Sequence, residues 1–151
     1  MENFPLILVL ITTQLKMPAQ AIAPKPNEPQ TSFTLTIDNI ENAQQPIYVG
    51  FYTEEDRFPK QGKHQFRKVI YPTGGSVSKT WNDIPEGEYA IAIYQDVNEN
   101  DQLETNLLGL PQEPYGFSTN FRAGVFSIPT FGKCKVMIDD KHSEQAISFI
   151  R

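Results

Sequence analysis

Short runs of alternating apolar and polar residues recur along this chain, separated by clusters of Pro, Gly, Asn and Asp. Phe33, Leu35 and Ile37 alternate with polar residues, and Ile47 and Val49 begin the next such run. A period of two is typical of a strand with one buried face, and no segment shows a sustained helical period. The sequence therefore predicts an all-β domain. Strands are predicted at 33–38, 47–52, 65–71, 76–81, 88–95, 131–138 and 145–150, with a brief one at 125–128.

The run from Glu88 to Gln95 differs from the others because both of its faces are apolar. Tyr89 and Ile91 lie on one face, and Ala90 and Ala92 on the other. A strand with two apolar faces is covered on both sides, which predicts a central position. About seven strands at this spacing predict an antiparallel β-sandwich with one long, functional-looking loop after the central strand.

The N-terminal residues differ in composition from the rest of the chain. Residues 1–23 combine an apolar stretch, Phe4 to Ile11, with small-x-small patterns that end at Ala21 and Ala23. The stretch is too short to span a bilayer, so these residues predict a signal peptide and a periplasmic or secreted protein. Residues 24–30 are Pro-rich and predict a linker, and residues 31–151 form the predicted sandwich domain.

Charge is distributed unevenly along the chain. The formal net charge is −5, and residues 81–121 hold eight of the 18 acids with no Lys or Arg. The rest of the chain is therefore mildly basic. Clustered cations are required for phosphate binding, so the pattern argues against a nucleic-acid partner. It favours a cation or a basic or neutral small ligand, although an acidic region is also typical of a solvated face.

Side-chain oxygens recur at every second position directly after the predicted central strand. The predicted metal ligands are Asp96, Asn98, Asn100, the carbonyl of Gln102, and Glu104. Calcium takes several oxygen ligands from short loops of this kind. The spacing differs from the helix-loop-helix calcium motif, which has Gly at the position of Asp101 and a bidentate Glu at that of Leu107. The open alternative is an Asx-rich turn whose side chains cap backbone N–H groups.

Aromatic residues and one carboxylate surround the acidic run and form a second candidate site. These predicted ligand contacts are Tyr94, Glu113, Tyr115, Phe117 and Phe121. Aromatic rings beside polar groups bind small ligands, glycans or peptides in shallow grooves. The same side chains also suit a role in packing the long loop onto the sandwich, and the sequence leaves both interpretations open.

Catalytic signatures are few in this sequence. It contains no Gly-x-Ser-x-Gly, and its two histidines are His64 and His142. The lone Cys134 alternates with apolar residues and is predicted to be an inert core residue. Asp96, Glu104 and Glu113 could serve a glycosidase only if they opposed one another across a sugar. We therefore assign no catalytic residue and predict a non-enzymatic binding or scaffolding module.

Three consecutive segments together resemble the bacterial DUF2141 family. They are the strand and Asp-x-Asn-x-Asn run of residues 87–100, the Leu/Gly/Pro segment of 103–111, and the Glu-Pro-Tyr-Gly-Phe-Ser of 113–118. The chain departs from the family pattern at Gln95, Asp101 and Glu104, where His, Gly and Asp are common. The resemblance implies an immunoglobulin-like or transthyretin-like sandwich in the cell envelope, and it implies no activity.

Overall fold

The computed structural model describes residues 28–107, 111–124 and 127–150. Two β-sheets pack face to face, which confirms the predicted all-β sandwich. The eight strands are β1 (Gln30–Asp38), β2 (Ile47–Tyr52), β3 (Phe66–Ile70), β4 (Ser76–Pro85), β5 (Gly87–Gln95), β6 (Tyr115–Phe117), β7 (Lys135–Ile138) and β8 (Glu144–Ser148). The predicted signal peptide, 1–23, and most of the predicted linker lie outside the described residues.

The two sheets have different strand orders. One has three strands in the order β4-β1-β8, and the other has the order β3-β2-β5-β6, with β7 also paired to β5. The predicted antiparallel arrangement holds for every described strand pair except β1 with β8, which run parallel. A period of two specifies which face of a strand is buried, but it does not specify the direction of the neighbouring strand.

The core lies between the two sheets and is built from the alternating residues of the predicted strands. Phe51 is its centre, fully buried and within 6.2 Å, centroid to centroid, of four aromatic rings. Those rings belong to Phe33, Phe66, Trp81 and Tyr89. Burial of such large side chains supplies the main favourable term in the stability of the domain.

Strand β5 has the central position that its two apolar faces predict. It pairs with β2 along one edge, and β7 and β6 share its other edge. Tyr89, Ile91 and Ile93 face the core, whereas Ala90 belongs to a second buried cluster on the outer face. The loops that follow β5 are thus packed against a rigid strand.

Two local predictions differ from the structure. Phe131–Cys134, predicted as strand, is a single helical turn in which the Lys133 and Cys134 N–H groups donate to the Thr130 carbonyl. Gly132 and the preceding Pro129 disfavour a continuous strand there. Residues 125–126 of the predicted brief strand lie outside the described residues, and Ile128 is irregular. The helical segments of the described chain are single turns, and none could span a membrane.

Candidate functional site

The acidic run begins where β5 ends, and buried polar contacts fix its starting point. The Gln95 N–H donates to the Pro114 carbonyl at 2.9 Å, and the Asp96 N–H donates to the Pro46 carbonyl at 3.1 Å. The Gln95 side chain is fully buried and donates to the carbonyls of Asn42 and Gln45. The acidic loop, defined as residues 96–106, is therefore anchored at its first residue.

Asp96 folds the acidic loop back on itself. Its side chain is 1% exposed, and Oδ1 accepts the Asn100 N–H at 3.1 Å while Oδ2 accepts the Asp101 N–H at 2.8 Å. Asn98 Oδ1 also accepts the Asn100 N–H, and Asn100 Oδ1 accepts the Gln102 N–H at 2.8 Å. These are the backbone-capping contacts of the Asx-turn alternative. Since each oxygen has a second lone pair, capping and cation binding are compatible.

The side chains of Asn98 and Asn100 converge on a single carboxylate oxygen. Asn98 Nδ2 lies 3.0 Å from Glu104 Oε1, and Asn100 Nδ2 donates to the same oxygen. Three of the five predicted ligands are therefore brought together in space. Gln102 is exposed, and the role of its carbonyl oxygen as a ligand stays a prediction.

Asp101 adopts the backbone conformation that glycine has in many metal-binding loops. Its φ is 60°, and Glu99 is also left-handed at 59°. Asp and Asn tolerate this region better than most residues, so the absence of Gly at this position does not prevent the turn. The Asp101 carboxylate accepts a hydrogen bond from the Tyr48 hydroxyl on β2, which ties the loop tip to the sheet. Burial and this contact raise the pKa of Tyr48 to about 12.

Glu113 reaches the acidic loop from the other side. It is 7% exposed, and its Oε1 accepts the Val97 N–H at 2.8 Å. Its Oε2 and the Oε2 of Glu104 are both buried, and neither has a hydrogen-bond partner within the described ranges. The two carboxyl groups lie close enough to hydrogen-bond once one of them is protonated. Among the described residues, neither glutamate forms a salt bridge.

The electrostatics of the two glutamates differ accordingly. Burial raises the pKa of Glu113, and the carboxylates of Glu104 and Asp96 raise it further, against the lowering effect of the Val97 N–H. The amides of Asn98 and Asn100 lower the pKa of Glu104. Glu113 is buried and Glu104 is partly exposed, and a shared proton or a bound cation would relieve the repulsion between the two carboxylates.

Carboxylates alone do not make a metal site here. In the described part of the chain, no three His, Cys, Asp or Glu side chains are grouped so that they could hold a metal ion. A cation in the acidic loop would therefore depend on amide and carbonyl oxygens as well. Such mixed oxygen sets suit calcium better than zinc or copper.

The residues predicted to contact a ligand lie in different parts of the structure. Tyr94 stacks on Tyr48 with centroids 5.1 Å apart, and Tyr115 and Phe117 lie on β6 beside β5. These three predicted residues line a cavity on the outer face of the five-stranded sheet. Phe121 packs in the outer cluster below Lys133, whose Nζ is 5.3 Å from the ring centroid. Glu113 faces the acidic loop.

Gln61 connects the acidic loop to the cavity, and sequence reasoning missed it. Its Nε2 donates to the Asp101 carbonyl at 2.7 Å and to the Tyr94 hydroxyl at 2.8 Å, and its Oε1 accepts the Leu103 N–H at 3.1 Å. Nothing in the polar segment around Gln61 distinguishes it from its neighbours. Tyr48 was also missed, although its alternation with Gly50 and Tyr52 on β2 places all three on one face.

Comparison with known proteins agrees with the resemblance in the sequence. The family described as "uncharacterized protein conserved in bacteria", DUF2141, matches residues 35–146. Comparison with curated proteins and with solved structures finds no match. The matched region extends from β1 to β8 and includes the acidic loop, the cavity and both sheets. This chain therefore belongs to the DUF2141 family.

Proposed function

We propose that this protein is an exported, non-enzymatic binding module whose acidic loop holds one calcium ion. The observation that carries the proposal is the convergence of Asn98 and Asn100 on Glu104, beside a buried Glu113 oxygen that has no hydrogen-bond partner among the described residues. Calcium would place a positive charge between the carboxylates of Glu104 and Glu113, which form no salt bridge within the described ranges. It would replace the two amide-to-carboxylate hydrogen bonds, and the Asn oxygens would use the lone pairs that their backbone caps leave free.

The donor set has the chemistry that calcium prefers. Calcium takes about six to eight oxygen ligands at roughly 2.3–2.6 Å and tolerates irregular geometry. Glu104 and Glu113 supply carboxylate oxygens, Asn98 and Asn100 supply amide oxygens, and the remaining positions fall to backbone carbonyls and water. Asp96, which caps two N–H groups, positions the loop and has lone pairs to spare.

Calorimetric titration of calcium into chelator-treated protein tests the proposal. We expect saturable heat with one site, and we expect Glu104→Gln to weaken binding by about tenfold or more, because affinity follows ligand charge. Glu99→Gln is the matched control, since Glu99 is an exposed loop residue and the charge change is identical. No saturable heat at millimolar calcium, or equal weakening by both variants, would contradict the proposal.

The burial of two of the three candidate acids, Asp96 and Glu113, counts against the hydrolase alternative. Asp96 is 1% exposed and Glu113 is 7% exposed. A general acid or base must reach within hydrogen-bond distance of the substrate, directly or through one water. Both carboxylates instead contact backbone N–H groups of their own loop.

Export is supported by residues 1–23, whose sequence has an apolar stretch and small-x-small patterns. We expect a fusion of residues 1–27 to a leaderless alkaline phosphatase to be active in a Gram-negative host, because that enzyme needs periplasmic disulfides. Leu8→Arg should abolish the activity by interrupting the apolar stretch. Full activity of the Leu8→Arg fusion would refute export through this segment.

A further inference from the structure

The outer face of the five-stranded sheet has a row of small residues that forms a floor. Gly50 on β2 pairs in register with Ala92 on β5. The rows on either side carry large aromatic side chains. Tyr48 pairs with Tyr94 in one of these rows, and Tyr52 belongs to the other. A Cβ atom built at Gly50 would lie 2.9 Å from Cε2 of Tyr52, so this position accepts no larger residue unless Tyr52 shifts. The Tyr52 ring covers part of Gly50, and the remaining space above the small residues of this row is a depression that Gly50 and Ala92 line.

Aromatic walls and a loop enclose the floor. The Tyr52 hydroxyl donates to the carbonyls of Pro59 and Lys60, which holds the 57–64 segment over the sheet. Phe58 meets Tyr52 edge-on at 5.2 Å and Phe117 at 5.6 Å. We call this partly open space the outer cavity; its volume is about 760 Å³. Small-molecule sites commonly have volumes of about 300–1,000 Å³ and mostly apolar linings.

The charged groups of the outer cavity are all basic. Arg57, Lys60 and Arg67 line it, and the described residues of its lining include no Asp or Glu. Within the described ranges, none of these three cations forms a salt bridge. Burial, aided by Arg67 and opposed by Asp56, lowers the pKa of His64, which favours its uncharged form. The charge of the cavity lining is thus positive, whereas the net charge of the whole chain is −5.

Arg67 stands at the end of the small-residue floor. It pairs in register with Gly50 on the side away from Ala92, and its Cζ lies 4.9 Å from the centroid of the Tyr48 ring. Stacking on this ring fixes the guanidinium while leaving its N–H donors available. A planar guanidinium at the end of an apolar slot is suited to bidentate contact with a carboxylate.

We propose that the outer cavity binds a small apolar molecule that carries one carboxylate. The apolar body lies on the Gly50–Ala92 row between the tyrosine walls, and the carboxylate pairs with Arg67. This assignment goes beyond calcium binding and does not depend on it. A neutral sugar would not use the charge of Arg67, and the hydroxyls of Tyr48 and Tyr52 already donate to protein acceptors.

Calorimetry with two isosteric probes in chelator tests the inference independently of the calcium site. We expect 2-naphthoate to bind saturably and about tenfold more tightly than the neutral 2-naphthalenemethanol, the difference being one charge-assisted contact. Arg67→Gln should remove that difference while leaving the affinity for the alcohol unchanged. Lys79→Gln, an identical charge change at an exposed residue of β4, should have no effect.

A second variant tests the floor. Ala92→Leu fills the depression from β5 and should abolish binding of both probes, with folding checked by the melting temperature. The proposal is overturned if neither probe binds at millimolar concentration to the wild-type protein. It is equally overturned if the alcohol binds as tightly as the carboxylate, or if Arg67→Gln leaves 2-naphthoate affinity unchanged.

Discussion

Phe51→Ala should destabilise the domain by about 3–5 kcal/mol, the usual cost of removing a fully buried phenylalanine. Phe51 has no exposed surface, and its ring stacks on Phe66 at 4.6 Å. It also meets Phe33, Trp81 and Tyr89 edge-on at 6.0–6.2 Å. Truncation would leave a cavity at the centre of the core and remove several aromatic contacts together. Urea denaturation followed by the fluorescence of Trp81, the single tryptophan, measures the loss directly.

The matched control is Tyr71→Ala, in which an aromatic residue that is 74% exposed is truncated in the same way. Its effect should stay within about 0.5 kcal/mol, as for most surface substitutions. A loss below about 1.5 kcal/mol for Phe51→Ala would mean that the surrounding rings collapse into the space. That result would contradict the tight packing of the two sheets.

Glu113→Gln should stabilise the calcium-free protein at neutral pH. In the unfolded chain the pKa of Glu113 is near 4.5, and burial raises it in the fold. Between those two values the folded state binds more protons than the unfolded state, so stability falls as the pH rises through that window. Glutamine resembles the neutral acid and keeps the acceptor for the Val97 N–H. We expect a melting temperature higher by roughly 3 °C at pH 7 in chelator, and a flatter pH profile.

Calcium should reverse this order of stability. At a hundredfold excess over the dissociation constant, calcium stabilises the wild-type protein by about 2.7 kcal/mol, or roughly 8–12 °C. Glu113→Gln, which loses a charged ligand, should gain much less and become the less stable protein. Glu86→Gln, an exposed glutamate outside the acidic loop, should follow the wild type in both conditions. A Glu113→Gln variant that is less stable than wild type in chelator would contradict the raised pKa.

The local pattern of apolar residues predicted much of the fold. Strands β1, β2 and β5 were predicted because their alternation matches their burial. Strand β6 was missed because Pro114 and Gly116 interrupt the pattern of the segment 114–117, and its pairing with β5 decides its conformation. The parallel pairing of β1 with β8 depends on how the whole chain closes, which local periodicity does not determine.

The sequence predicted less of the candidate site than of the fold. The Asp/Asn run and its start after β5 follow from composition and strand periodicity. Glu113 and Glu104 come close because the long loop folds back on itself. Local sequence patterns do not predict this proximity. The floor of the outer cavity requires that Gly50 and Ala92 be paired in register, although they are 42 positions apart. Strand register depends on how the whole chain pairs, so the floor of the outer cavity could not be predicted from the sequence.

The pairing of β1 with β8 affects when the domain can fold. These are the first and last strands of the described domain, so β1 lacks one neighbour until β8 has left the ribosome. Contacts between residues so distant in sequence form slowly, because a long chain segment must close first. We therefore expect the three-stranded sheet to be completed only after β8 has been synthesised.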